Sequence, residues 1–322
     1  MSESIFKINK ISLQESMRAM DFSEPPELNQ EESEYSAYYQ LDFEKKIPEL
    51  KHGFGFLFVE NQKIAVHSYQ LKHSSGTVFI CHGYFDHVGL YNHIIEKMLK
   101  LGFNVIAWDL QGHGLSVGES GVVDDFNTYV ESLRSILSNA ENKLPYPWHM
   151  VAQSTGAAIV MDFLLNLGNK KNPFETTTLL APLYLPHEWS KGKFKYYLAK
   201  FFLRSAKRDN NTSSHDNEFV EFVRQDPLRI NNLSVQWIGS LIRWQKKIKA
   251  RSQSLERISV IQGQQDKTVD WEKNIEFIKE KFPNSEMHFI PEAKHHLVNE
   301  SIEIREKVFT ALEKILTENK KQ

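Results

Sequence analysis

The chain has 322 residues, with 39 Lys+Arg against 41 Asp+Glu and a formal net charge of −2. At roughly 100–200 residues per domain, that length allows one large domain or two ordinary ones, and the near-neutral balance excludes a surface built throughout for nucleic acid. Hydrophobic residues at 41% and charged residues at 25% describe a foldable globular chain, and the single cysteine, Cys81, excludes a disulfide framework and a cysteine-based zinc cluster.

No window approaches ~18 consecutive apolar residues, and the opening Met-Ser-Glu-Ser-Ile-Phe-Lys has no apolar run behind it. A cytoplasmic protein is therefore expected. Residues 1–52 read as an N-terminal extension. Within it, residues 21–34 combine acids and prolines with few apolar side chains. Such a stretch cannot offset its own ordering entropy, so the extension is expected to lie on the body or hang loose. From Gly53 the pattern changes. Phe54, Phe56, Leu57 and Phe58, then Ile64 and Val66 across Glu60-Asn61-Gln62, predict an antiparallel hairpin. Short apolar runs follow at 77–81, 104–108, 149–152, 177–180, 258–261 and 287–290, each fitting a buried strand of a parallel sheet. Helical spacing fills 91–101, 125–137, 155–167, 271–282 and 301–316, clearest in Ile159, Val160, Phe163, Leu164 and Leu167. This alternation predicts an α/β fold with a mostly parallel, doubly wound sheet. Residues 182–250 interrupt it with helical patterns and no convincing strand. They read as an inserted helical cap over the C-terminal edge of the sheet, where such folds hold ligands, and they divide the core into 53–181 and 251–322.

Turns at the predicted strand ends carry the chemistry. His82-Gly83-Tyr84-Phe85-Asp86-His87 follows the first parallel strand. Its glycine lets the Tyr84 N–H face the sheet end, where it can pair with the Thr155 N–H as a two-donor oxyanion hole. The plainer reading is a tight turn with a buried, hydrogen-bonded His82, and it applies to His82 in either case. His82 and His87 lack the H-E-x-x-H pattern or carboxylate-rich helix of a metal site, so no metal is expected. Ala152-Gln153-Ser154-Thr155-Gly156 lies where a strand turns into a helix. A nucleophilic serine there is exposed by a strained backbone, with small residues two before and two after it to permit the tight corner. Alanine stands where glycine is usual, and a helix N-cap serine is the alternative. Gly263-Gln264-Gln265-Asp266-Lys267-Thr268-Val269 puts Asp266 at a strand end, where a carboxylate can orient an imidazole. Asp270 competes for that role, or caps the following helix. Pro291-Glu292-Ala293-Lys294-His295-His296-Leu297 offers two histidines, one as the base and the other as a surface or loop residue. Read along the chain, serine, acid and histidine each follow a strand of one sheet, which favours a Ser154–Asp266–His295 triad.

With these motifs, residues 76–317 resemble the α/β-hydrolase superfamily, in its monoacylglycerol lipase / lysophospholipase branch. The branch's H-G-x-x-E-H-x-x-x-Y appears as His82-Gly83 through Tyr91, with Asp86 in place of Glu. Its D-x-x-G-H-G-x-S appears as Asp109 through Ser116, which read as structural. Its A-x-H-x-L-x-x-E appears as Ala293 through Glu300, a match that selects His295 as the base. The resemblance implies a serine hydrolase of carboxylic lipid esters, of monoacylglycerol or lysophospholipid type, working through an acyl-enzyme without metal or organic cofactor. It also permits a prolyl-aminopeptidase-like peptidase, and the fold hosts non-catalytic interaction proteins that lack the triad. Charge bears on the choice. Residues 182–250 hold thirteen Lys/Arg against six Asp/Glu, which disfavours an enzyme that must pair a cationic α-amine. Seven of those bases lie between Lys191 and Arg208, interleaved with Phe194, Tyr196, Tyr197, Phe201 and Phe202. Such a face can lie on an anionic membrane or accept a phosphate headgroup. Otherwise it is a solvated helix whose apolar side packs on the body.

Overall fold

A computed structural model describes residues 8–207 and 213–318. Its first residues form two short helices, α1 (Lys10–Ser16) and α2 (Gln30–Tyr38). Asn29 and Glu32 cap α2 reciprocally, each side chain taking the other's backbone N–H. Residues 8–52 are not loose. Leu13, Phe22, Tyr35, Tyr39, Leu41 and Phe43 are all buried. Of the two expected outcomes the segment takes the first and lies on the body, anchored by apolar side chains that lie mostly on either side of the acidic, proline-containing run. Strand β1 (Lys51–Val59) receives this segment along its edge, where the Met20 and Phe56 N–H groups donate to the Phe56 and Arg18 carbonyls. Gly53 and Gly55 make the approach possible, since a Cβ at either would strike Pro25 or the Arg18 carbonyl.

The predicted hairpin is β1 with β2 (Gln62–Gln70), turning at Glu60 and Asn61, both at positive φ. The parallel core follows as β3 (Thr77–Cys81), α3 (Asn92–Lys100), β4 (Asn104–Trp108), α4 (Asn127–Ala140), β5 (Trp148–Gln153), α5 (Thr155–Leu165) and β6 (Thr176–Leu180). An insertion then carries α6 (Trp189–Ala199), β7 (Ser205–Lys207), α7 (Asn217–Gln225), β8 (Asn232–Ser234) and α8 (Val235–Lys249). The chain finishes with β9 (Ser259–Gly263), α9 (Trp271–Lys281), β10 (Glu286–Ile290) and α10 (Ile302–Glu318). The eight-stranded sheet runs β1-β2-β4-β3-β5-β6-β9-β10, antiparallel at β1/β2 and β2/β4 and parallel elsewhere. Each observed core strand falls within two residues of its apolar run; the inner strands are buried on both faces and so mostly apolar, while the edge strand β10 is buried only at Ile290. One face is covered by α4, α5, α8 and α9, the other by α3, α10 and the N-terminal segment.

The insertion does hold strands. β7 and β8 pair antiparallel in a sheet of their own, each too short to show a period in sequence. Helix α8 buries Trp237, Leu241, Trp244 and Ile248 against the core. Helix α6 does the opposite. Trp189 is its buried residue, held by its indole N–H on Gln245 Oε1 at 2.8 Å, while Phe194, Tyr197 and Leu198 face solvent. Arg208, the last base of the Lys191–Arg208 stretch, lies outside the described residues.

Candidate active site

Ser154 sits between β5 and α5 with φ 53° and ψ −111°, a conformation a non-glycine residue holds only under constraint. The constraint is visible. The Ser154 N–H donates to the Leu180 carbonyl at 2.9 Å, and its own carbonyl accepts from Ala158 and Leu183. Gly156 is required by neighbours on another strand, since a Cβ there would run into the carbonyls of Cys81 and His82. The serine occupies the N-cap position of α5 without capping it. Its hydroxyl lies 3.0 Å from His295 Nε2 instead.

His295 Nδ1 is 2.6 Å from Asp266 Oδ2. With Nδ1–H donating to the carboxylate, Nε2 is left to accept from the serine. Burial pulls the His295 pKa down, but the charge and hydrogen bond of Asp266 outweigh it and hold the imidazole above its ordinary value. For Asp266 burial pushes upward, yet His295 and the N–H groups of Thr268 and Val269, at 2.7 and 3.1 Å, keep its pKa below the usual carboxylate range. Asp270 stands at the N-cap position of α9, but its carboxylate pairs with Lys273 at 2.6 Å rather than with a histidine or a helix N–H. His296, expected at the surface or in a loop, is in the loop but buried, its Nε2 facing Asp86 Oδ1 at 3.3 Å.

The turn after β3 abuts the serine. A Cβ placed on Gly83 would lie 3.2 Å from Ser154 Cβ and 2.9 Å from Asp86 Oδ2. Tyr84 follows in that turn, its ring stacked on Trp237 of α8 at 4.0 Å and its hydroxyl donating to the Gly121 carbonyl at 2.6 Å. Thr155 opens α5, so its N–H has no intrahelical carbonyl to meet. His82 is buried and pushed down to about 3 by desolvation, with Nδ1–H on the Gly83 carbonyl at 2.7 Å and Nε2 accepting from Leu110 N–H at 2.9 Å. His87 turns away to Asp226 of the insertion at 2.8 Å. Among the described residues, no group of three His, Cys, Asp or Glu side chains could hold a metal ion. Asp109 receives the Val88 and Leu115 N–H groups, both at 2.7 Å, and shapes the loop beside the site.

Several contributors carried no recognisable signal in sequence. Gln153 donates its amide to the His295 carbonyl at 2.7 Å, and Gln262 reaches Asp266 Oδ2 at 3.3 Å. Both sit on strands buried on both faces, where sequence does not show which way a side chain points. The Tyr91 hydroxyl accepts from Gly83 N–H at 3.2 Å and donates to Asp86 at 3.0 Å, bracing the turn. Tyr91 stood in the matched motif, but only the fold gives it a task.

Comparison with known proteins bears on the fold and the family. The rat protein "Monoglyceride lipase" is 28% identical over 158 residues, 47% of this chain and 51% of the relative. The chain thus spans about half the length of that curated relative and of its human counterpart. "Monoglyceride lipase homolog" of monkeypox virus is 25% identical over 76% of this chain and 90% of its own. Among solved structures, a soluble variant of monoglyceride lipase from Saccharomyces cerevisiae aligns with a TM-score of 0.70 at 20% identity, covering 85% of this chain and 95% of that one. These likenesses carry the α/β-hydrolase fold and its monoglyceride lipase / lysophospholipase-like branch. Residues 72–302, well over half of the chain, match the family described as Hydrolase_4 (serine aminopeptidase, S33), and the chain belongs to that family.

Proposed function

We propose that this protein is a serine hydrolase of carboxylic esters of lipids, of the monoacylglycerol or lysophospholipid type. The observation that carries the reading is the chain Ser154 Oγ–His295 Nε2 at 3.0 Å and His295 Nδ1–Asp266 Oδ2 at 2.6 Å, built on a serine at positive φ. Ser154 attacks the ester carbonyl as its proton passes to His295. Asp266 orients the imidazole and stabilises the imidazolium. The N–H groups of Tyr84 and Thr155 hold the oxyanion, each donor worth about 3–4 kcal/mol by analogy with other hydrolases. His295 then protonates the leaving alcohol, and water, deprotonated by the same histidine, releases the acyl group from the serine.

In this reading residues 1–52 are an extension, 53–181 and 251–322 form the catalytic body, and 182–250 are its cap. Supporting the cap assignment, α8 stacks Trp237 on Tyr84 beside the serine. The relatives named as monoglyceride lipases and a probable lysophospholipase favour a lipid ester. A peptidase is the second reading, favoured by the family's aminopeptidase description. It needs carboxylates at the mouth for a cationic amine, and the insertion's thirteen bases against six acids weigh against it. The cap is also taken as a peripheral membrane contact, because Phe201 and Phe202 are 77% and 86% exposed and Lys200 lies over the Tyr197 and Phe201 rings.

The test is a fluorophosphonate probe combined with a substrate panel of monoacylglycerols, lysophospholipids, short p-nitrophenyl esters and aminoacyl amides. Ser154 is expected to be labelled, and Ser154→Ala to lose both labelling and ester hydrolysis. Labelling that survives in Ser154→Ala would overturn the assignment. A wild-type protein that neither labels nor hydrolyses would be a non-catalytic member of the fold.

A further inference from the structure

Glu300 is fully buried in the loop that carries His295, and the proposed chemistry leaves it without a task. Its Oε1 accepts from the N–H of Lys294, the residue before His295, at 2.7 Å. Its Oε2 accepts from the N–H of His215 in the insertion at 2.8 Å, and His215 Nδ1 lies 3.1 Å from Oε1. On the other side of the imidazole, His296 N–H donates to the Ser213 carbonyl at 2.8 Å. Both peptide N–H groups flanking His295 are thus tied to one unit, made of Glu300 and the strap Ser213–Asp216. Further bonds fix the strap in place. Ser214 Oγ–H donates to the Asn299 carbonyl at 2.7 Å and Lys294 Nζ to the Ser214 carbonyl at 3.1 Å.

A loop between a strand and a helix does not by itself hold an imidazole within the ~0.5 Å that proton transfer demands. A buried carboxylate meeting several N–H donors forms strong, directional bonds. We propose that Glu300 is a positioning residue for His295, acting together with the Ser213–Asp216 strap, so that the insertion helps to aim the base. This rests on the reading of His295 as the base of Ser154. It differs from a purely structural role in one respect. The contact of His295 with Asp266 must loosen when Glu300 or the strap is altered.

The experiment compares the wild-type chain with Glu300→Gln and His215→Ala on a short, soluble ester. It records kcat, KM and the acidic limb of kcat/KM, the rate of Ser154 labelling by a fluorophosphonate, and thermal stability. Glu300→Gln presents an amide N–H₂ to N–H donors and is expected to lower kcat by about 10²-fold, the scale of an ångström's misplacement, with KM within about twofold. The acidic limb should shift to lower pH as His295 loses part of its hold on Asp266, with Asp86 the other acid acting on it. His215→Ala keeps the backbone donor and should show the same changes at smaller amplitude, about tenfold in kcat. Its side chain is about a third exposed, so it decides the matter should Glu300→Gln not fold. Folded variants with wild-type kcat, labelling rate and acidic limb overturn the proposal, even if their melting temperatures fall. A wild-type protein that is not labelled at Ser154 removes the catalytic reading itself, and this proposal with it.

Discussion

Two adjacent histidines meet different surroundings. His295 meets a serine hydroxyl and a carboxylate, while His296 faces Asp86 with the Phe219 and Tyr91 rings nearby. His295→Ala is expected to lose at least about 10³-fold in kcat, since residues of a triad act as a unit, and His296→Ala far less. Kinetics on a soluble ester would show it, and the reverse ranking would move the base. The pH dependence follows from the charges. A base must be neutral to accept a proton, and His295 is held above its ordinary pKa, so kcat/KM should rise with pH through a midpoint above about 6.5. Asp86 adds to that hold, so Asp86→Asn should shift the limb toward lower pH. An unmoved limb would mean that the carboxylate does not act on His295. Ser154 and His295 were legible as residue types at strand ends. The bond of Gln153 to the His295 carbonyl was not, because it joins groups far apart in sequence, and the motif that holds Glu300 does not show that its carboxylate meets His215 of the insertion.

Between elements, Asp226 performs the clearest joining. It follows α7 in the insertion and accepts the Tyr39 hydroxyl of the N-terminal segment at 2.6 Å, while His87 from the turn after β3 lies 2.8 Å away. Three stretches of chain thus meet on one buried carboxylate. Burial raises its pKa, but His87, Tyr39 and the Leu228 N–H outweigh that and hold it below the usual value. A depressed carboxyl contributes stability that is present above its unfolded pKa and is lost as pH falls through the folded one. Asp226→Ala should therefore destabilise the protein by about 3–5 kcal/mol near neutrality. In chemical denaturation, the wild-type and variant curves should converge below about pH 4. A constant gap down to pH 2 would show that the loss is one of packing rather than charge. None of the three residues stood out as a partner of the others, since they lie 187 and 139 positions apart.

At the scale of the molecule, charge is unevenly distributed, with a net of +7 on residues 182–250. Beside those bases Phe194, Tyr197, Phe201 and Phe202 face solvent while Tyr196 packs on the body, and the exposed four are the physical basis for taking this face to a lipid surface. Attraction between exposed charges is screened over ~8 Å at physiological ionic strength, so binding to anionic vesicles should weaken as salt rises. Changing Lys193, Lys195, Lys200 and Arg204 to Gln should lower that binding and raise the apparent KM for aggregated lysophospholipid. The kcat on a short soluble ester should stay as it was. Vesicle binding that is absent, or indifferent to salt and to these substitutions, would leave the face without a lipid partner.

The alternation of buried strands and amphipathic helices, and with it the sheet, was legible in local patterns, because burial on both faces writes an apolar run and burial on one face writes a 3.6-residue period. So were the residue types at strand ends, since the strained serine corner and the close approaches at Gly83 and Gly156 admit few side chains. Three-dimensional packing decided where the N-terminal segment lies, that Phe194 and Tyr197 of α6 face outward, and which distant groups brace the His295 loop. Each of those outcomes depends on which partner a side chain meets from another part of the fold. A local pattern records a side chain's preference for burial, not the identity of its neighbour.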